Sequence, residues 1–371
     1  MNDGLLDRVR MRLATQPGEL SGLLLDGPAQ RELSEQMQAE LLGAGPLETW
    51  LAEPGVTDVL VNGAEQAFID RGAGLQPIPV RFDSPEAVRR LAVRLAAQAG
   101  RRLDDAQPFV DAVLPDGTRL HAILPPLVDQ PAISLRVLGR RRLNLSDLVA
   151  LQMLSATTAG LLSSVVRARL GLLVSGGTGA GKTSLLAALL AQVPPAERII
   201  TIEDAPELRP EHPHVISLQS RSGNSEGCGA IGPAELVRQA LRMRPDRLVV
   251  GEFRGAEIAD LLAALNTGHA GGAATVHANS VRDVPARLSA LGALAGLGPV
   301  AVAAQAASAL DVVVHVQRGR DGRRGVQQVA LWSREPERRP ELVWTAEDGE
   351  GPAVAQLRQR LIEAGEAESA P

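Results

Sequence analysis

The amino-acid sequence predicts an α/β protein, in which a mostly parallel sheet with helices on both faces follows a smaller α+β domain. Apolar β-like runs alternate with helical segments from about residue 160 to 333, which is the pattern of a covered parallel sheet. Residues 45–138 instead combine short β-like runs with one strongly periodic helix. At 371 residues, the chain is too long for one ordinary domain and long enough for two.

These changes of pattern divide the chain into five predicted segments. They are an N-terminal helical segment at 1–44, the α+β domain at 45–138, a polar and basic linker at 139–159, the main α/β domain at 160–346, and a polar C-terminal tail with one exposed helix at 347–371. The first segment lacks the apolar core of a signal peptide and reads as an amphipathic helix.

The composition is that of a globular protein with an aliphatic core. Hydrophobic residues make up 45% of the chain and charged residues 22%, but aromatic residues only 2%. So few aromatic side chains argue against base stacking on single-stranded nucleic acid, and the formal net charge of −5 gives no overall basic footprint. The single cysteine excludes an internal disulfide and a multi-cysteine zinc site. A nucleic-acid partner is therefore not expected.

The smaller domain has one clear helix. In SPEAVRRLAVRLAAQAG, Ser84 is predicted to cap the helix, Pro85 to occupy its first position, and Gly100 to end it. The runs VTDVLVNG, QAFIDR and AISLRVL are predicted strands around this helix.

The main domain contains eight predicted strands. The mostly parallel set is LGLLVSG, RIITIED, HVISLQS, RLVVGE and GAATVHA, and the closing antiparallel set is DVVVHVQR, GVQQVALW and ELVWTA. Between the two sets, residues 289–310 carry no charge and are long enough to cross a bilayer. Because GLGP interrupts this stretch, we expect two short buried helices and no membrane span, and a cytoplasmic protein.

A phosphate-binding loop is the most specific motif of the chain. GGTGAGKTS lies between an apolar strand and a helix and matches the pattern G-x-x-x-x-G-K-[ST]. Backbone N–H groups of such a loop point at phosphate oxygens, and the helix N-terminus adds a positive dipole end. Lys182 is predicted to reach the β- and γ-phosphates and Thr183 to ligate Mg²⁺. The predicted nucleotide-binding residues are Gly176, Gly177, Thr178, Gly179, Ala180, Gly181, Lys182, Thr183 and Ser184.

Carboxylates end two of the predicted strands. RIITIED ends in Glu203 and Asp204, and RLVVGE ends in Glu252. Ligands of open α/β sheets bind beyond the carboxyl ends of the strands, so these acids are expected beside the loop. We predict Glu252 as the group that orients water and Glu203 as a second acid that helps to hold magnesium. The alternative is that either carboxylate is simply solvated.

Two of the six histidines flank the small residues of NTGHAGGAATVHANS. His277 follows a predicted strand of the same sheet, where a neutral imidazole could bond the γ-phosphate or the attacking water and report whether phosphate is present. His269 is assigned with it to nucleotide binding. A metal site for the pair lacks a third ligand nearby, and the histidines of EHPH at 211–214 are expected in a solvated turn.

Four motifs together resemble the secretion ATPases of type II and type IV systems. They are the loop at 176–184, TIEDAPEL at 201–208, LRMRPDRLVVGEFRGAE at 241–257, and the histidine motif described above. The chain resembles most closely the CpaF/TadA-like branch that serves tight-adherence (Flp) pili, over roughly residues 45–320. ATP and not GTP is the expected nucleotide, because no guanine-reading NKxD motif is visible.

The resemblance implies roles for individual residues. Glu252 would be the catalytic glutamate, Glu203 and Asp204 the acids near magnesium and water, and His277 the histidine of the histidine motif. Arginines would approach the nucleotide from several segments, namely Arg119, Arg136, Arg221 and Arg242, the first two near the γ-phosphate. The alternative for Arg119 and Arg136 is a surface or interface ion pair.

The resemblance also implies the assembly. It predicts a RecA-like ATPase domain, a homo-hexameric ring, and an inner-membrane platform protein that holds the ring at the cytoplasmic face of the membrane. The predicted function is a Mg²⁺-dependent ATPase motor for pilus assembly or secretion. Two alternatives stay open, a conjugation-type translocation ATPase and a nucleotide-gated structural subunit with little turnover.

Overall fold

A computed structural model of the protein describes eight stretches of the chain. They are residues 43–72, 74–137, 142–221, 229–266, 268, 270–319, 321–336 and 339–366. The predicted N-terminal helix, in residues 1–42, lies outside them. The described residues form two units, one comprising the chain up to Arg71 with Leu75–Asp111 and Leu120–Leu135, the other comprising Gly72–Gly74, Ala112–Arg119 and the chain from Arg136 onwards.

The smaller unit is built on a six-stranded sheet. Its strands are β1 (Asp58–Asn62), β2 (Gln66–Asp70), β3 (Leu75–Ile78), β4 (Phe109–Val113), β5 (Arg119–Ile123) and β6 (Ala132–Arg136), in the order β3-β2-β1-β6-β5-β4. Its helices are α1 (Glu48–Ala52), preceded by a 3₁₀ turn at Gly45–Leu47, and α2 (Pro85–Gln98). The Ser84 hydroxyl accepts the backbone N–H of Ala87 at 3.4 Å, and Pro85 is the first residue of α2, as predicted.

The larger unit is built on a nine-stranded sheet. Its strands are β7 (Leu172–Gly176), β8 (Ile199–Glu203), β9 (Val215–Gln219), β10 (Arg247–Phe253), β11 (Ala273–Val276), β12 (Val312–Arg318), β13 (Arg324–Leu331), β14 (Glu341–Thr345) and β15 (Gly349–Glu350). The order is β15-β14-β13-β12-β7-β11-β10-β8-β9. All pairs from β12 to β9 are parallel, which confirms the predicted parallel sheet. The closing set is antiparallel within itself, as predicted, but its first strand, β12, also pairs in parallel with β7 and so belongs to the parallel part of the sheet as well.

Helices cover both faces of this sheet. They are α3 (Leu145–Ala150), α4 (Ala156–Arg167), α5 (Lys182–Leu190), α6 (Pro233–Ala240), α7 (Glu257–Leu265), α8 (Val284–Leu294), α9 (Pro299–Ala309) and α10 (Val354–Glu363), with 3₁₀ turns at Leu241–Met243 and Val281–Asp283. Neighbouring residues of one strand enter opposite cores. Leu172 and Val174 pack with α4, α5 and α10, whereas Leu173 packs with α6 to α9.

Helical structure extends into the segments predicted as linker and tail. Within 139–159, a capping box of Asn144 and Asp147 starts α3, and α4 begins at Ala156. Helix α10, in the predicted tail, is amphipathic and not simply exposed. Its Leu357 is fully buried and Leu361 is 7% exposed in the core beside α4 and α5.

The charge-free stretch forms two helices, as predicted. The pair Val281–Leu294 and Pro299–Ala309 is bent by 118° at the break. In the described ranges, no individual helix combines the length and apolar character of a membrane span, although the bent pair has both when taken together.

Gly272 is required where the chain enters β11. A Cβ at this position would lie 2.1 Å from Leu265 Cδ2 and 2.7 Å from the Leu248 carbonyl oxygen. We expect Gly272→Ala to lower the free energy of unfolding by about 1–3 kcal/mol, because the backbone of β10 must shift. Urea denaturation followed by circular dichroism measures it.

Gly160→Ala is the matched control, since a Cβ there, inside α4, meets no atom within 4 Å. The control should raise the free energy of unfolding by about 0.5–1 kcal/mol, the helix propensity difference. Equal stability of the two variants would contradict the close approach at Gly272.

Candidate functional site

The glycine-rich loop joins the buried strand β7 to α5. Gly181 caps α5 with a φ of 98°, a left-handed conformation that favours glycine. A Cβ at Gly176 would lie 2.2 Å from the Val316 carbonyl oxygen of β12, so the loop rests directly on that strand. A Cβ at Gly177 or Gly179 would meet no atom within 4 Å. The loop is therefore supported beneath and open above, as a phosphate cradle must be.

Lys182 is folded over this loop. Its Nζ donates to the carbonyl oxygens of Gly176 at 3.0 Å and Gly177 at 2.9 Å, and the residue is 8% exposed. Burial lowers the pKa of Lys182, an effect that the nearby Glu252 opposes. Thr183 and Ser184 are half-buried in the first turn of α5. A phosphate group in the loop would therefore meet an ammonium, a helix N-terminus and two hydroxyl residues.

The carboxyl ends of β11 and β10 bring His277 and Glu252 to the same edge. His277 Nδ1 lies 3.4 Å from Lys182 Nζ, and its Nε2 is in close contact with the Glu252 carboxylate. The register of β10 shifts between Val250 and Phe253, which marks a bulge in the stretch of Gly251 and Glu252. Bulges re-aim side chains, and this one lies where the predicted catalytic carboxylate leaves the strand. Lys182, His277 and Glu252 thus form one continuous row.

The imidazole of this row is poised to be neutral. Burial lowers the pKa of His277, the positive charges of Lys182 and Arg254 lower it further, and Glu252 opposes them. A neutral imidazole can accept a hydrogen bond at one nitrogen and donate at the other. It can therefore join the ammonium to the carboxylate.

Glu203 is buried at the end of β8 and faces the turn that follows. Its Oε1 accepts the backbone N–H groups of Glu207 at 3.1 Å and Leu208 at 2.9 Å. Burial raises the pKa of Glu203 to about 7, although these backbone bonds and Arg119 act in the opposite direction. The role of Glu203 at magnesium stays a prediction, and it requires at least part of this bonding to open.

Asp204 and Arg119 lie near this turn, and Arg136 lies in the last strand of the smaller sheet. Asp204 is exposed, and its Oδ1 accepts the Ser220 hydroxyl at 2.7 Å. Arg119, which groups with the larger unit, donates from Nη1 to Glu207 Oε1 at 2.8 Å. Arg136 is exposed at the end of β6.

Two predicted arginines do not join the row within their own chain. Arg221 follows β9, the edge strand, and donates from Nε to the Gly229 carbonyl oxygen at 2.8 Å. Arg242 lies in the 3₁₀ turn before β10, at the opposite, amino-terminal edge of the sheet. Their contact with a nucleotide stays a prediction. His269 lies outside the described residues.

The histidines of EHPH bond to nearby loop groups. His212 Nε2 lies 3.1 Å from the Pro194 carbonyl oxygen, and His214 Nε2 lies 3.2 Å from Arg198 Nη1. These contacts agree with a structural role in a turn.

Two further residues beside Glu252, Arg254 and Glu257, were not predicted from the sequence. Arg254 donates from Nε to Glu252 Oε2 at 2.6 Å, and the buried Glu257 carboxylate accepts the backbone N–H of Arg254 at 2.6 Å. The available signal was spacing, because residues two apart in an extended segment share a face. That rule brings Arg254 to the side of Glu252.

The raised pKa of Glu203 predicts a pH-dependent stability. The folded protein holds a proton that the unfolded chain releases between the ordinary pKa of 4.5 and about 7. Stability is therefore highest below pH 4.5 with respect to this group, and about 3 kcal/mol is lost as the pH rises through 7. Glu203→Gln, measured by urea denaturation without nucleotide, should remove this contribution to the pH dependence. An unchanged slope between pH 5 and 7.5 would contradict the buried, protonated carboxyl.

Comparison with known proteins assigns the family. The family model described as "Type II/IV secretion system protein" matches residues 40–343. The putative conjugal transfer protein Rv3659c of Mycobacterium tuberculosis is 52% identical, covering 88% of this chain and 95% of that protein. The conjugal transfer protein TrbB of Rhizobium radiobacter is 30% identical, covering 74% and 83%.

Solved structures support the fold. The crystal structure of the pilus retraction motor PilT with bound ADP aligns with a TM-score of 0.55 at 20% identity, covering 76% of this chain and 80% of PilT. This likeness concerns the fold, and it agrees with the predicted RecA-like α/β domain after a smaller α+β domain. The family match spans the glycine-rich loop, Glu252 and His277, and the chain belongs to the type II/IV secretion system protein family.

Proposed function

We propose that the chain is an ATP-hydrolysing motor subunit of a type IV secretion, conjugal-transfer or pilus system. The row of Lys182, His277 and Glu252 at the mouth of the glycine-rich loop carries this proposal. It combines a cation for phosphate, a neutral imidazole and a carboxylate, with the imidazole in contact with both of the others. Simple phosphate binding does not require the carboxylate, whereas hydrolysis requires a group that orients water.

The loop residues would bind the nucleotide. Backbone N–H groups of the loop hold the phosphates, and Lys182 exchanges the carbonyl oxygens of Gly176 and Gly177 for phosphate oxygens. Thr183 would hold Mg²⁺, with Glu203 or Asp204 as a second contact, and the ion would neutralise charge on the phosphates.

Glu252 would orient the attacking water. The water oxygen forms a bond to the γ-phosphorus while the bond to the β–γ bridging oxygen breaks, so that ADP leaves. The proton of the water passes to the Glu252 carboxylate and from there to solvent. His277 contacts both Lys182 and Glu252, so it can transmit the presence of the γ-phosphate to the carboxylate. Arg119 and Arg136 would add positive charge at the transition state.

Two candidate systems follow from different observations. The motifs favour assembly of tight-adherence pili, by a homo-hexameric ring held at the inner face of the cytoplasmic membrane by an integral platform protein. The names of the relatives favour conjugal transfer, since Rv3659c and TrbB are both described by it. The two differ in cargo and share the same hydrolysis.

The central test separates binding from turnover. We expect Lys182→Ala to abolish nucleotide binding, because the phosphates lose their main cation. Glu252→Gln should keep binding and lose turnover by about 10²–10⁴-fold, the value of a positioned base. Fluorescent-nucleotide binding and steady-state phosphate release measure the two. Hydrolysis by Glu252→Gln at the wild-type rate would refute the proposed role.

The same Glu252→Gln variant, expressed in place of the native protein, distinguishes the two systems. Loss of surface pili identifies the pilus motor, and loss of plasmid transfer to a recipient identifies the conjugal one.

A separate prediction concerns His277. His277→Ala should lower turnover about tenfold or more, whereas ATP affinity falls less than about threefold, because the imidazole acts on the carboxylate and not on the loop. Titration with ATP and with ADP, together with steady-state rates, measures both. An equal fall in affinity and turnover would make His277 a binding or folding residue.

A further inference from the structure

Arg254 forms an ion pair with Glu252, the carboxylate that we propose activates water. Its Nε and Nη2 both lie 2.6 Å from Glu252 Oε2, so two of the three guanidinium nitrogens contact a single carboxylate oxygen. Such charge-assisted bonds are among the stronger hydrogen bonds of proteins. The third nitrogen, Nη1, lies 3.9 Å from Oδ2 of a second acid, Asp204. Arg254 therefore bridges the carboxylates that follow two adjacent parallel strands.

The backbone of Arg254 is fixed while its side chain can move. Glu257, at the start of α7, accepts the backbone N–H groups of Arg254 at 2.6 Å and Gly255 at 2.8 Å. The Glu257 side chain is buried, so this turn is held from beneath. The Arg254 side chain is 54% exposed and can change rotamer without disturbing the core.

Arg254 occupies one oxygen of the Glu252 carboxylate, whereas the other is buried and has no hydrogen-bond partner among the described residues. Oε1 contacts His277 Nε2, and Oε2 accepts from Arg254. A carboxylate oxygen that already accepts from a guanidinium has less capacity left to accept a hydrogen bond from a water molecule. Release of Arg254 would free Oε2 for the attacking water.

Asp204 is placed to receive the released arginine. Its Oδ1 is held by the Ser220 hydroxyl at 2.7 Å, which leaves Oδ2 facing Arg254. A side-chain rotation of Arg254 would close the 3.9 Å gap to a direct ion pair. The exchange costs little, because the guanidinium keeps a carboxylate partner throughout.

We propose that Arg254 is a positioning residue that restrains Glu252 and passes to Asp204 when the site becomes active. This inference rests on the proposed role of Glu252 as the base. Arg254 acts through Glu252, without contact between Arg254 and the substrate. Arg254 thereby limits hydrolysis when the rest of the site is not assembled.

The first test removes the restraint. Arg254→Gln should raise basal kcat about three- to tenfold, with KM and ADP affinity unchanged within about twofold, since an exposed ion pair of modest strength is lost. Arg238→Gln is the matched control, because Arg238 is an exposed arginine paired with Glu235 on α6. The control should leave kcat unchanged. An unchanged or lowered kcat in Arg254→Gln would overturn the restraint.

The second test is a double-mutant cycle with Asp204. Asp204→Asn should lower kcat in the wild-type background, because Arg254 loses its alternative partner. In the Arg254→Gln background the same substitution should lower kcat by a smaller factor, because only the direct effect of Asp204 on the proposed magnesium site remains. An equal fall in both backgrounds would show that Asp204 acts independently of Arg254 and would overturn the exchange.

Glu252→Gln separates this inference from the proposed function. If Glu252→Gln abolishes turnover and Arg254→Gln does not raise it, the role of Glu252 stands and the restraint fails. If Glu252→Gln turns over at the wild-type rate, the proposed function itself fails, and with it the restraint.

Discussion

Parallel pairing of β7, β11, β10 and β8 is the constraint on which the candidate site depends. Because the four strands run in one direction, their carboxyl ends meet at one edge, and the groups that follow them are brought together from distant parts of the sequence. His277 is 95 residues from Lys182 and 25 residues from Glu252 along the chain, yet the three side chains form one contact row. The register of β10 against β11 shifts between Val250 and Phe253, the stretch that carries Glu252.

The parallel sheet is stable because both faces are buried. Side chains of β7 alternate between two aliphatic cores, with Leu172 and Val174 on one side and Leu173 on the other. Aliphatic side chains fill both cores without polar atoms, so the sheet can be packed closely although the chain has few aromatic residues. The polar chemistry is thereby confined to strand ends, loops and helix termini.

Much of the fold could be predicted, because its signals are local. The helix capped by Ser84, the parallel strands and the loop before Lys182 all depend on a few neighbouring residues. The position of His277 followed from one further step, since a residue that ends a parallel strand must lie at the common edge. The burial of α10 was missed because its apolar positions, including Leu357, are spaced among charged residues in a polar tail.

The site was less predictable wherever side-chain direction decides the contact. No local pattern indicates that Glu203 turns towards the backbone of Leu208. The two-residue spacing places Arg254 on the same side as Glu252, but it does not indicate that the two side chains bond. The position of Arg242 was also not predictable from its motif. Its motif continues into the strand of Glu252, but it precedes that strand and so lies at the other edge of the sheet.

The close packing of Gly176 against the Val316 carbonyl has a mechanical consequence. The base of the glycine-rich loop cannot recede when a phosphate presses on it, because no void separates it from β12. Displacement on binding must then be taken up by the parts that can move, which are the long side chains above the loop and the turns that carry them. With a rigid base of this kind, the binding of a phosphate displaces the side chains and turns above the loop and not the loop itself.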